Sequence, residues 1–220
     1  MEEVFPGVYR IKDRIATKSY APGFKVYKEE TIVIDGIEYR FWDPYKSKLS
    51  AAIIKGLTTF KFKKDSTILY LGAASGTTVS HISDIVTDGI IFAVEFSPRP
   101  FRDLMQVVEH RPHIIPILAD ARLPYRYRIY IPSVDLIYCD IAQPDQTQIL
   151  IKNAKAYLKK GGYIYYAIKS RSIDVVKTPR QIYDEQLEIL KREGFEVVDQ
   201  VELDPFEKEH LMAVLTLPKK

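Results

Sequence analysis

From residue 67 onward the chain alternates short apolar runs with amphipathic stretches, and this alternation limits its fold more than any other feature. Residues 67–71, 90–94, 114–118, 134–139 and 163–168 read as buried strands, each too short and too uniformly apolar for a surface helix. Residues 76–86 read as the helix after the first strand. After the second, Phe101, Leu104, Met105 and Val108 recur at i, i+3, i+4, i+7 and predict a helix that buries that face. A further helix is expected over 146–158, ended by Gly161-Gly162. Another opens on Thr178 as N-cap with Pro179 in its first turn, turns Tyr183, Leu187 and Leu190 to the core and closes at Gly194. Strand–helix alternation of this length predicts an α/β fold, a doubly wound sheet with helices on both faces. Residues 195–201 and 211–217 are two final strands with no helix between them. They predict a closing hairpin whose last strand is inserted antiparallel.

The first 45 residues follow a different rule. Residues 8–11, 31–34 and 37–41 alternate like half-exposed strands, and Asp35-Gly36 between the last two is a hairpin signal. A helix is expected from about Lys48 to Leu57. The expected organisation is a small antiparallel β-module with its linking helix over residues 1–55, then the α/β domain over residues 56–220. No run approaches the ~20 apolar residues of a membrane span, and Met1-Glu2-Glu3 soon followed by Pro6-Gly7 does not read as a signal peptide. The expectation is therefore no membrane and a cytoplasmic address. The single cysteine, Cys139, excludes an internal disulfide and a cysteine-based metal cage; it is expected to be a buried thiol, and no metal site is expected. The net charge of +3 is unevenly spread: residues 1–64 hold 13 Lys and Arg against 8 Asp and Glu, the remainder 19 against 21. A basic front half can attract nucleic acid, though ordinary solvation explains it as well. Arg111, Arg122, Arg126 and Arg128 are further candidates for phosphate contact.

Candidate chemistry collects at strand ends. Leu71-Gly72-Ala73-Ala74-Ser75-Gly76-Thr77-Thr78 joins the first strand of the sheet to its helix, where a doubly wound sheet meets nucleotide-like ligands. Gly72 and Ala73 let the backbone approach a ligand with its N–H groups free, and the hydroxyls of Thr77 and Thr78 can add contacts. The glycine spacing is not that of dinucleotide enzymes, and the lysine of a phosphate-binding P-loop is missing. A merely tight turn is the plainer alternative. Glu95, at the end of the second strand, is placed to hold both ribose hydroxyls of an adenosine, with Phe96 on the adenine face. Asp120-Ala121, after the third, can meet the adenine edge with a carboxylate and a backbone N–H.

These segments resemble one family. Trp42-Asp43-Pro44-Tyr45-Lys46-Ser47-Lys48, the glycine loop through His81, Val94-Glu95-Phe96-Ser97, Asp120-Ala121-Arg122, Asp140-Ile141-Ala142-Gln143-Pro144-Asp145-Gln146 and Pro205-Phe206-Glu207-Lys208-Glu209-His210 are similar to the motifs of the fibrillarins. The likeness covers nearly the whole chain, and the Asp-x-Ala-Gln-Pro-Asp-Gln stretch is highly specific. The Gly/Arg-rich tail of eukaryotic members is missing, so the chain resembles archaeal ones. The resemblance implies a Rossmann-like seven-stranded sheet of the S-adenosylmethionine-dependent methyltransferase type and 2′-O-methylation of ribose in RNA. It implies a catalytic quartet of Lys48, Asp140, Lys169 and His210, with Asp140 and Gln143 also on the cofactor. It implies a box C/D guide RNA and target RNA, a Nop-domain scaffold protein and a kink-turn-binding protein as partners. Placement agrees: Asp140 and Lys169 end strands, and His210 starts an antiparallel one, so all three belong at one edge of the sheet. Read without the resemblance, Lys48 is a solvated helix residue, Asp140 is as well explained as a turn acid as by a role in a site, Lys169 also fits a surface lysine and His210 lies in a polar turn. A nicotinamide-dependent oxidoreductase on the same fold, a stand-alone RNA methyltransferase and a non-catalytic RNA-binding module are the rival functions.

Overall fold

The computed structural model describes residues 1–218. Five strands come first: β1 (Glu2–Phe5), β2 (Val8–Ile11), β3 (Arg14–Lys18), β4 (Thr31–Ile34) and β5 (Ile37–Phe41). They form one antiparallel sheet in the order β1-β2-β3-β5-β4. Asp35 and Gly36 both have positive φ, 50° and 77°, the backbone of a two-residue hairpin whose twist matches its strands. β2, β4 and β5 form where strands are expected; β1 and β3 were not expected. β3 is the centre of the sheet, and Ile15, Ala16 and Thr17 are all buried, so covering both faces erases the alternating signal.

A helix, α1 (Lys48–Ile54), leads to the larger sheet, which is built from β6 (Thr67–Leu71), α2 (Thr77–Ile85), β7 (Ile90–Glu95), α3 (Pro98–Glu109), β8 (Ile114–Leu118), β9 (Val134–Cys139), α4 (Gln146–Tyr157), β10 (Leu158–Lys169), α5 (Ser170–Ile173), α6 (Pro179–Arg192), β11 (Glu196–Glu202) and β12 (His210–Thr216). The order is β11-β12-β10-β9-β6-β7-β8, with β12 antiparallel to both its neighbours and the strands from β10 to β8 parallel. The last strand is therefore inserted as expected. Period-two packing divides the core. Ile68 and Tyr70 of β6 join a cluster with α1, α2, α3 and the small sheet, whereas Leu69 and Leu71 join one with α4 and α6. A sheet covered on both faces needs such unbroken apolar strands. Cys139 lies fully buried within it. Among the described residues no helix is long and apolar enough to cross a membrane.

Three expectations need correction. Met105 does not face the core: it is 39% exposed, while Leu104 and Val107 are buried, because α3 packs those two side chains over Gly76. Gly161-Gly162 does not end α4, which stops at Tyr157 and runs straight into β10. The two glycines sit in a register shift of β10 between Leu158 and Tyr163. A Cβ on Gly162 would lie 2.7 Å from Leu158 Cδ1 and 2.8 Å from the Lys159 carbonyl, so the irregular backbone there excludes a side chain. Arg111 is not available to phosphate. It is fully buried, and its guanidinium donates to Asp84 Oδ1 at 2.6 Å.

Asp84, on α2, is the hub that fastens the small sheet to the large one. Its carboxylate accepts from Arg40 of β5 at 2.7 Å, from the Thr17 hydroxyl of β3 at 2.6 Å and from the Tyr20 N–H at 2.9 Å, besides Arg111. Arg40 is completed by Glu29, whose Oε1 accepts from Nε at 2.7 Å. Beside this group His81 stacks on Trp42, with centroids 4.8 Å apart, and its two ring nitrogens meet the hydroxyls of Thr17 and Tyr27. Removing one member of a buried ion group leaves its partners charged and unpaired, at a cost of about 3–5 kcal/mol. Asp84→Ala is expected to lower unfolding stability by about that amount in guanidinium titrations. A loss below about 1 kcal/mol, the scale of an exposed pair, would show that the network does not carry the junction.

Candidate active site

The carboxyl ends of the parallel strands open into a cavity of about 320 Å³, within the size range of small-ligand sites. One wall is the turn after β6. Gly72 has φ +83°, and a Cβ there would stand 2.6 Å from the Asp140 carbonyl, so the close approach of the ends of β6 and β9 requires glycine. The N–H groups expected to be free at this turn are engaged. Those of Gly72 and Ala73 donate to the Val94 carbonyl at 2.9 and 3.1 Å, and that of Ala74 donates to Glu95 Oε2 at 2.8 Å. The turn is thus tied to the end of β7 through these three N–H groups.

Of the residues expected around a cofactor, Gly72, Glu95, Phe96, Asp120, Ala121, Asp140 and Gln143 line the cavity. Ala73, Thr77 and Thr78 are not among its lining residues. Ala73 is buried in the core, and the buried Thr78 hydroxyl donates to Ser47 Oγ at 2.9 Å, which fixes the approach to α1. The Glu95 carboxylate is held by two backbone donors, Ala74 N–H and Ser97 N–H at 2.7 Å, one on each oxygen. Each oxygen keeps a second lone pair for a ligand hydroxyl. Phe96 next to it is 66% exposed, a free aromatic face at the cavity. Asp120 Oδ1 accepts from the Arg122 N–H at 2.9 Å, and the Arg122 guanidinium donates to Gln143 Oε1 at 2.6 Å.

At the cavity's edge the structure brings the expected quartet together. Asp140, just past β9, receives Lys169 from the end of β10 and Lys48 from the first turn of α1. Lys169 Nζ is 2.8 Å from Oδ1 and donates to the Asp140 carbonyl oxygen at 3.2 Å; Lys48 Nζ is 3.3 Å from Oδ1. Burial pushes the Asp140 carboxyl up, but the ammonium groups of Lys169 and Lys48 outweigh burial and hold it below its ordinary value. A lysine opening a helix lies against the helix dipole. Asp140 and Glu207, whose Oε1 is 3.7 Å from Lys48 Nζ, supply the opposing charge. His210 is the cross-strand partner of Lys169 in the β10–β12 ladder, so the two side chains leave one end of the sheet together. Its Nδ1 is 2.7 Å from the Lys208 carbonyl. A carbonyl only accepts, so Nδ1 carries the proton and Nε2 keeps the lone pair. Burial lowers the His210 pKa, and although the bond to Lys208 opposes this, the charge of Lys48 helps keep it below the ordinary histidine value.

The family model described as fibrillarin matches residues 1–219. The chain belongs to the fibrillarin family. Among its relatives, the fibrillarin-like rRNA/tRNA 2′-O-methyltransferase of Methanocaldococcus jannaschii is 53% identical over 219 residues, covering 97% of this chain and 95% of the relative. The crystal structure of Aeropyrum pernix fibrillarin in complex with natively bound S-adenosyl-L-methionine matches with a TM-score of 0.88 and 47% identity, over 95% of this chain and 93% of that one. A crystal structure of a fibrillarin/Nop5p complex matches with a TM-score of 0.91 and 42% identity, over 98% and 100%.

Two residues at the site, Glu207 and Gln146, were not expected from the sequence. Gln146 is fully buried against Lys169, and both residues lie inside motifs already quoted. Their spacing gave no sign of which side chains they would meet. Ala74, Ser97 and Ile141 also line the cavity without having been singled out. The charge balance at Asp140 is testable. Lys169→Met removes the ammonium nearest the carboxyl, so burial gains weight and the Asp140 pKa is expected to rise. Carboxyl-carbon NMR titration reads it; an unchanged titration would mean that Lys169 does not set the ionisation of Asp140.

Proposed function

We propose that this chain is an RNA ribose 2′-O-methyltransferase that uses S-adenosylmethionine and acts on pre-rRNA and tRNA. The observation that carries the reading is the quartet of Lys48, Asp140, Lys169 and His210 at the rim of a cavity with nucleoside-shaped features. Two named relatives support it: one is a fibrillarin-like rRNA/tRNA 2′-O-methyltransferase, the other a fibrillarin with bound S-adenosyl-L-methionine. The residues present fit that cofactor. Glu95 offers a free lone pair on each oxygen for the two ribose hydroxyls, Phe96 offers an aromatic face to the adenine, and Asp120 with the Ala121 N–H meets its edge. Asp140 and Gln143 would face the amino-acid end.

When bound, S-adenosylmethionine supplies a methyl group already activated on a sulfonium, so the protein's share is alignment and the handling of one proton. Lys169 is the central group. Fixed by Asp140, its ammonium stabilises negative charge developing on the ribose 2′-oxygen. Asp140 stays ionised at neutral pH because both lysines favour the carboxylate. His210, neutral at that pH with its lone pair on Nε2, is the group ready to take the 2′-hydroxyl proton. Lys48, shared between Asp140 and Glu207, closes the polar rim.

The assembly extends this reading. A fibrillarin of the same fold is known in complex with Nop5p, and we place this chain on a Nop-domain scaffold with a kink-turn-binding protein and a box C/D guide RNA, in the cytoplasm. Arg126 and Arg128 are exposed beside the cavity loop and suit phosphate contact. Phosphate contacts give affinity without sequence information, so target choice falls to pairing with the guide.

Three measurements test the proposal. Glu95→Ala is expected to weaken S-adenosylmethionine binding by about 1.5–3 kcal/mol, the range for charged hydrogen bonds; calorimetry giving wild-type affinity would remove Glu95 from the site. The second compares single-turnover methylation of one target RNA by the chain alone and by the chain with scaffold, kink-turn protein and guide. Only the assembly should methylate efficiently and at one site, and Lys169→Ala within it should lose about 10²–10⁴-fold. Binding of RNA by the isolated chain should weaken with salt by about 0.7 log units per log unit for each phosphate neutralised. Site-specific methylation by the chain alone would point to a stand-alone enzyme instead.

A further inference from the structure

Gln146 opens α4 and is a fully buried polar side chain. Its amide bridges two backbones. Oε1 accepts from the Lys169 N–H at 3.1 Å, while Nε2 donates to the Lys169 carbonyl at 3.4 Å and to the Gln143 carbonyl at 2.9 Å. The reason for a side chain here lies in the sheet. On one side β10 stays paired with β12 up to Lys169 and His210, but on the other the ladder to β9 stops at Tyr166 and Cys139. Beyond that point Lys169 needs a substitute strand, and Gln146 supplies one acceptor and one donor as a neighbouring peptide would. The same amide holds Gln143, whose own side chain lines the cavity and accepts from Arg122. One side chain therefore locks the backbone of Lys169 to the cavity wall.

We infer that Gln146 is a positioning residue for methyl transfer, which holds Lys169 at the end of β10 by bonding both polar groups of its backbone. The inference rests on the function proposed above, in which the Lys169 ammonium acts at the ribose oxygen. An ammonium on a four-carbon stem reaches many positions; only a fixed backbone keeps it on Asp140 and in register with the ribose. Misplacement by about 1 Å can cost about 10²-fold in rate, so the role falls chiefly on the rate of transfer, with a smaller effect on the cofactor through Gln143.

Gln146→Glu separates positioning from simple packing because its chemistry depends on pH. Ionised, the new carboxylate can accept from the Lys169 N–H but cannot donate, and it faces the carbonyls of Lys169 and Gln143. Protonated, it regains one donor. Burial and the facing carbonyls of Lys169 and Gln143 raise the pKa of a carboxyl here, opposed by the Lys169 ammonium, which is already engaged by Asp140, so the change is displaced toward neutral pH. In the assembled guide complex, the single-turnover rate of Gln146→Glu at neutral pH is expected to fall about 10²-fold. Its ratio to the wild-type rate should climb as pH falls, with wild-type KM for target RNA and, because the same amide holds Gln143, a loss of S-adenosylmethionine affinity far smaller than the loss of rate. Gln146→Ala should show the same loss without the pH-dependent recovery. A Gln146→Glu rate equal to wild type, or a loss constant with pH and matched by weaker cofactor binding, would overturn the inference. Wild type and Lys169→Ala are run alongside. An inactive wild-type complex, or a Lys169→Ala variant as fast as wild type, would defeat the proposed function and this inference with it. An inert Gln146→Glu beside a crippled Lys169→Ala would defeat the inference alone.

Discussion

Asp84 accepts four hydrogen bonds inside the protein, two of them from guanidinium groups, and the position of Lys48 follows from that arrangement. The small sheet cannot bury all its apolar surface alone; β3 lies against α2, and Asp84 on α2 reaches into β3 and β5. Once β5 is fixed, the chain leaves it through Trp42, stacked on His81, and enters α1 through Ser47, which accepts from Thr78 of α2. Lys48 follows. An ammonium brought from outside the large sheet thereby meets a carboxylate at its edge. A buried group of opposite charges is a weak way to gain stability but a demanding one to arrange. Its geometry here fixes one relation between the two sheets.

Much of this was legible in the sequence, and the failures are as physical as the successes. Asp140, Lys169 and His210 were picked out by the resemblance; their placement at one edge could be read because each sits where a strand begins or ends. Glu95, Phe96 and Asp120 were legible for the same reason. Gln146 and Glu207 were not, because a polar residue after a strand or in a turn says nothing about the side chain it will meet. Thr78 misled in the opposite sense: a hydroxyl beside a glycine turn suggests a ligand contact, but Ser47 takes it. Met105 fits an ideal helical stripe, yet the surface beneath α3 is set by Gly76, whose missing side chain admits Leu104 and Val107. β3 went unseen because a strand buried on both faces and only five residues long loses its alternation.

The insertion of β12 between β10 and β11 also sets an order in time. Chains are made from the amino end, and His210 is the last of the quartet to be synthesised. Until β12 has left the ribosome, β10 and β11 lack the strand that joins them, and Lys169 faces an empty place in the ladder where His210 belongs. A chain without β12 holds Lys48, Asp140 and Lys169 but lacks both His210 and the strand that joins β10 to β11. The group of four side chains is thus complete only with the strand that closes the sheet.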